Sequence, residues 1–120
     1  MTQPEWKARI QEQCEAAGTY RPFFDDAIST LAAILEKRDK AEEQFKNSSG
    51  NAVIAHTNKY GATNLVKNPV LVAINELNSQ ALAFWRDLGL TPSGLRKLNE
   101  KALEKKKTSA LAEALKDLGG

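Results

Sequence analysis

The 120-residue chain has few of the residues that most often carry covalent, metal or redox chemistry: one cysteine, Cys14, one histidine, His56, and one methionine. A lone cysteine cannot close an internal disulfide, which fits a reducing compartment. A lone histidine with no cysteine, histidine or acidic neighbour at ligand spacing is not a metal site, so His56 reads as a surface or turn residue. No apolar run approaches the roughly 18–20 residues that cross a bilayer. The opening MTQPEWKARI lacks the apolar stretch of a signal peptide. A cytoplasmic protein with no membrane partner is expected.

Catalytic groupings are missing as well. There is no phosphate-cradling GxxxxGK[ST] and no GxGxxG. Asp25 and Asp26 are adjacent, so on a helix they point about 100° apart. They suit the positive end of a helix dipole better than general acid–base work. Glu12, Glu15, Glu42 and Glu43 have no helix-borne histidine or glycine-rich loop beside them. The expectation is a protein that is not an enzyme and needs no cofactor or metal. Recognition and assembly remain.

The charge is nearly balanced, +2 overall, but unevenly spread. Residues 1–60 hold eight Lys/Arg against nine Asp/Glu, and residues 61–120 hold nine against six. The stretch 96–107 concentrates Arg96, Lys97, Lys101, Lys105, Lys106 and Lys107 against Glu100 and Glu104. Such a patch suits phosphate or an acidic partner; a solvated helix face near a chain end is the plainer reading. Lys7, Arg9 and Arg21 form a second candidate surface near the N-terminus.

The punctuation is that of helices. Pro4 suits a first helical turn. Trp6, Ile10, Cys14 and Ala17 recur at steps of four, four and three, and Gly18 is a helix stop. Cys14 thus falls on the buried face. A long second helix is expected from Thr19 as cap and Pro22 in its first turn to about Lys46. Phe24, Ile28, Leu31 and Leu35 form its seam, with Phe23, Ala27, Ile34, Ala41 and Phe45 beside it. Arg38 and Glu42, four residues apart, can pair with each other or with a neighbouring subunit.

NSSGN at 47–51 breaks this helix. Across 52–66 the β-branched residues Val53, Ile54, Thr57 and Thr63 favour extended structure, and Asn58-Lys59-Tyr60-Gly61 reads as a turn. A small β-hairpin or a loop is expected there.

Asn68 then caps a third helix with Pro69 in its first turn, running to Leu88. Its apolar residues cover about half the circumference, whereas one partner helix uses only a ~100° stripe. The surplus calls for another copy of the chain or for cover by the first and fourth helices. Leu71, Leu82, Phe84 and Trp85 on this arc, with Arg38 and Glu42, are the oligomer-interface candidates.

GLTP at 89–92 is an explicit elbow: a stop at Gly89, an apolar latch at Leu90, a cap at Thr91 and a restart at Pro92. Leu95, Leu98, Ala102 and Leu103 give the fourth helix its apolar side. EKKKTSA is expected to fray, with Thr108 or Ser109 capping a short last helix bearing Leu111, Leu115 and Leu118. The expected class is mainly α: a long antiparallel helical hairpin with a small β-hairpin or loop at its tip, flanked by shorter helices. Residues 1–18 form an N-terminal helix, 19–98 an oligomerisation core and 99–120 a basic, flexible segment.

The strings HTNKYGATNLVKNPVL and LNSQALAFWRDLGLTPSGLRKL resemble the phage terminase small subunit family of tailed phages and prophages of Gram-positive bacteria. The shared pattern is a long helix, a variable turn, an Asn-Pro helix start, an apolar helix and a closing GLTP. Here it falls on Asn68-Pro69, Leu71, Ile74, Ala81 and Leu88, then Gly89, Leu90, Thr91 and Pro92, then Leu95 and Leu98. Many members carry arginine where this chain has Gly94 or Leu95, which moves the basic role to Arg96 and Lys97. The resemblance implies a ring-forming homo-oligomer in the bacterial host cytoplasm. It also implies binding to double-stranded phage DNA and delivery of that DNA to a large terminase subunit holding the ATPase and nuclease. A belt of like charge repeated around an axis then adds phosphate contacts that one chain lacks. The competing reading is a helical protein-interaction adaptor without a nucleic-acid role.

Overall fold

In the computed structural model the backbone is described for residues 1–48 and 50–118, and the side chains for these except 102, 105–109, 117 and 118. The order is α1 (Gln3–Ala17), a 3-10 turn (Pro22–Phe24), α2 (Asp25–Asn47), β1 (Val53–Thr57), β2 (Thr63–Lys67), α3 (Pro69–Asp87) and α4 (Pro92–Leu118). The expected helical hairpin with its small β-hairpin is therefore present. The molecule extends 86 Å along its longest axis.

The helix α1 starts with Thr2 accepting from the backbone N–H of Glu5 and stops at Gly18, whose φ of 73° closes the last turn. The N–H of Thr19 donates to the Cys14 carbonyl at 2.9 Å, and that of Gly18 to Glu15 at 3.1 Å. This is a Schellman closure, in which residues beyond the helix satisfy its last carbonyls. Thr19 is consequently not the cap of the second helix. Its hydroxyl is buried and donates back to Cys14.

A separate 3-10 turn at Pro22–Phe24 precedes α2, which begins only at Asp25 with no side-chain cap. That corrects the start expected near Thr19. It also puts Phe23 outside the seam, 77 % exposed, with its ring edge-on to Phe24 at 4.7 Å. Asp25 and Asp26 occupy the first turn of α2, where the helix dipole favours negative charge.

One core joins α1, α2 and α3: Trp6, Ile10 and Cys14 meet Ile28, Leu31, Ala32 and Leu35, then Ala81 and Leu88. Each fully buried Ile or Leu contributes about 1.5–3 kcal/mol of transfer free energy. Contacts between the N-terminus of α1 and residues 36–39 of α2 set these two helices antiparallel. The same core holds α3 against α2. The β-ribbon therefore stands at one end of the hairpin and the Gly89 elbow at the other.

Strand pairing is antiparallel, from Val53 opposite Lys67 to Thr57 opposite Thr63. The Asn58 side chain accepts from the N–H groups of Tyr60 and Ala62, and Gly61 takes φ 81°. The turn is thus held by its own asparagine. Of the ribbon's ten strand residues, all but the half-buried Ile54 are exposed.

Candidate nucleic-acid interface

The elbow is built from two helix ends locked by local bonds. Asn68 caps α3 by accepting from the N–H of Val70. At the far end Gly89, with φ 73°, donates to the Arg86 carbonyl at 3.0 Å, and Leu90 donates to that of Trp85 at 2.8 Å. Leu90 packs on the core with Trp85, which is the apolar latch. Thr91 then accepts from the N–H of Gly94 at 3.1 Å and caps α4.

Gly94 is buried, and a Cβ there would lie 2.1 Å from the Arg86 carbonyl oxygen. The first turn of α4 thus sits directly on the last turn of α3. The outcome is a cleft of about 200 Å³ lined by Arg86, Asp87, Gly94, Lys97, Leu98 and Lys101. Three cations and one carboxylate edge it. Arg86 was not among the sequence candidates, because nothing in the linear spacing links it to Lys97 and Lys101. The signal was the elbow itself, which folds the last turn of one helix against the first turns of the next.

Arg96 is exposed on the same helix start. The side chains of Lys105, Lys106 and Lys107 lie outside the described residues. The backbone through them is helical, because α4 runs unbroken for 27 residues to Leu118. This corrects the separate last helix expected after Thr108 or Ser109. The Lys, Glu and Ala of this stretch are strong helix formers, and Thr108-Ser109 continues the helix instead of capping a new one. From Asn99 onward every described side chain is exposed, including Leu103, Leu111 and Leu115.

The N-terminal cations do not converge. Lys7 is half-buried and Arg9 exposed; at two residues' spacing they leave α1 about 200° apart. Arg21 donates to the carbonyl of Tyr20 at 2.6 Å. Arg9 instead lies over the Trp6 ring, 5.6 Å from its centroid, and borders a groove of about 390 Å³ with Gln13, Leu82, Trp85, Leu90 and Thr91.

Arg38 lies over the same Trp6 ring at 5.6 Å and pairs with Asp39 at 3.2 Å. It does not pair with Glu42, which is exposed. Asp39 also accepts from the indole N–H of Trp6 at 2.7 Å and from the N-terminal ammonium at 3.1 Å. Burial works to raise the Asp39 carboxyl, but the bonds from Trp6, the N-terminus and Arg38 outweigh it and hold the group below its ordinary value. Glu36 is likewise lowered, first by the backbone N–H of Gln3 and then by Lys40. This clasp fixes the start of α1 on α2.

The interface candidates on α3 divide. Phe84 and Trp85 are half-buried against the core and Leu71 is half-buried, while Leu82 is 49 % exposed. Val72, outside the expected set, is also exposed. Only Ile74 and Ala81 of α3 are buried. Val72 and Leu82 are thus the large apolar side chains that α3 leaves exposed.

Among the described residues, no group of three or more His, Cys, Asp or Glu is placed to hold a metal ion, and no helix is long and apolar enough to cross a membrane. No curated protein and no solved structure matches the chain. The family model for the phage terminase, small subunit, matches residues 3–105, a span that takes in α1, the hairpin, the elbow and the basic start of α4. The chain belongs to the phage terminase small-subunit family.

Proposed function

We propose that the chain is the oligomeric DNA-recognition component of a phage packaging apparatus, binding the viral genome and delivering it to the large subunit that carries the ATPase and nuclease. The chain itself is non-catalytic in this reading. The observation that carries it is the elbow cleft in a member of this family. Arg86, Lys97 and Lys101 share one rim, and Arg96 is exposed beside them.

On one chain this is a weak site. Copied around an axis, it becomes a belt in which each Lys or Arg meeting a phosphate releases counterion, so affinity accumulates across subunits. Residues 19–98 supply the assembly core through the exposed apolar part of α3. Residues 1–18 brace it, and residues 99–120 carry further positive charge and the leucines that dock the large subunit. Contact is mainly with the phosphate backbone, with sequence choice read through DNA shape.

Native mass determination with and without a duplex, across a salt series, tests the reading. The expected result is a homo-oligomer that retains duplex at low salt and releases it steeply as salt rises. An assembly that retains no duplex at low salt would instead mark a protein-interaction adaptor.

A further inference from the structure

The β-ribbon at the far end of the hairpin is not used by the elbow site. Its surroundings have a charge pattern found nowhere else in the chain. From Gln44 to Asn75 there is no Asp or Glu, while Lys46, Lys59 and Lys67 lie within this stretch. At the tip, Tyr60 is 82 % exposed, and the ammonium of Lys59 stands 5.1 Å from the centroid of its ring. The turn beneath them is fixed: Asn58 accepts from Tyr60 and Ala62, and the Thr57 and Thr63 hydroxyls bond across the strands at 3.0 Å.

We infer that this ribbon is a second nucleic-acid contact, inserting its tip into a groove of duplex DNA; the inference rests on the DNA-binding reading above. A two-stranded ribbon has the width that a major groove admits. The acid-free strands and tip of the ribbon approach phosphates without like-charge repulsion. Lys59 meets a phosphate while the Tyr60 ring packs on the sugars, contributions that do not depend on a base code.

Charges on the packed neighbours sharpen the assignment. Glu76 of α3 lines the same cleft as Lys67 at the ribbon's root, so Lys67 is partly offset there. Lys59, at the tip, carries most of the contact. The turn's self-contained bonding also matters, because a pre-ordered tip loses little conformational freedom on binding.

The test compares full-length variants for duplex retention over a salt series and for assembly mass. Lys59→Gln with Tyr60→Ala is expected to weaken duplex binding about tenfold or more, and to reduce the slope of log affinity against log salt by about 0.9 per binding tip. Tyr60→Phe keeps the ring and is expected to bind like the native chain. Assembly mass stays unchanged in both. A parallel variant, Lys97→Gln with Lys101→Gln, reports on the elbow. If that variant weakens binding while the tip variant does not, the ribbon is not a DNA contact and the elbow reading stands. If the native chain itself retains no duplex, the DNA-binding reading has failed. A tip variant with lowered mass would make the ribbon a contact between copies and overturn the inference.

Discussion

Gly94 and the carbonyl of Arg86 touch across the elbow so closely that any Cβ at position 94 would fall 2.1 Å from that oxygen. The contact is between backbones, so no side chain can swing away to relieve it. It sets the distance between the end of α3 and the start of α4, and hence the spacing of Arg86 from Lys97 and Lys101.

Gly94→Ala is therefore expected to force the two helices apart. Overpacking of this kind costs about 1–3 kcal/mol, which thermal unfolding would record as a fall of several degrees for a domain of this size. Gly50→Ala is the control. Its φ is 63° but nothing lies within 4 Å of the added Cβ, so it carries only the left-handed backbone penalty of about 1 kcal/mol. Equal losses at the two positions would show that the helices move apart freely and that the elbow is not fixed by this contact.

The elbow was legible in the sequence because each of its parts has a local cause: a left-handed glycine, a threonine cap and a proline at the first turn. The same holds for Asn68-Pro69 and for buried Cys14. What escaped the sequence depended on tertiary placement. Thr19 has the chemistry of a cap, but the Schellman closure at Gly18 turned it inward, and Phe23 left the seam with the 3-10 turn. Arg86 joined the cationic rim only through backbone packing at Gly94. Thr108-Ser109 looked like a restart because Ser and Thr favour caps. Flanked by strong helix formers, they continue α4 instead.

Acid should release the start of α1. The Asp39 and Glu36 carboxyls are both held below their ordinary values when folded. Their contribution is therefore complete above the usual carboxylate range and is lost as pH falls through the lowered folded values. Unfolding midpoints measured from pH 7 down to pH 3 should fall steeply below about pH 4. Asp39→Asn should lose about 1 kcal/mol at pH 7, discounted for partial exposure, and show a shallower acid dependence. A variant with the native acid profile would remove Asp39 from the clasp.

Cys14 should be silent toward thiol reagents in the folded protein. Burial pushes its thiol up, partly countered by a hydrogen bond with Thr19, so both access and thiolate fraction are low. A disulfide reagent should label it at the rate of opening, accelerating with denaturant in step with unfolding. Rapid stoichiometric labelling of the native chain would mean that α1 detaches readily from the core.

Leu82 offers the sharpest test of assembly through α3. It is 49 % exposed and edges the groove shared with Trp85 and Arg9, yet it is not part of the core. Leu82→Glu should leave the fold of an isolated chain within about 0.5 kcal/mol, as surface substitutions do. If copies meet on this face, the substituted carboxylate is desolvated at the contact, and the assembly mass should drop toward that of one chain. The native protein should unfold at a temperature that rises with protein concentration, because association stabilises the folded form by mass action; the variant should lose that dependence. A native chain with one-chain mass and a concentration-independent midpoint would end the assembly reading, and the pooled belt of weak positive charge would have no scaffold. An unchanged oligomer in Leu82→Glu would instead move the contact to the Leu71 and Val72 side of α3, which lines the separate cleft running to the root of the β-ribbon.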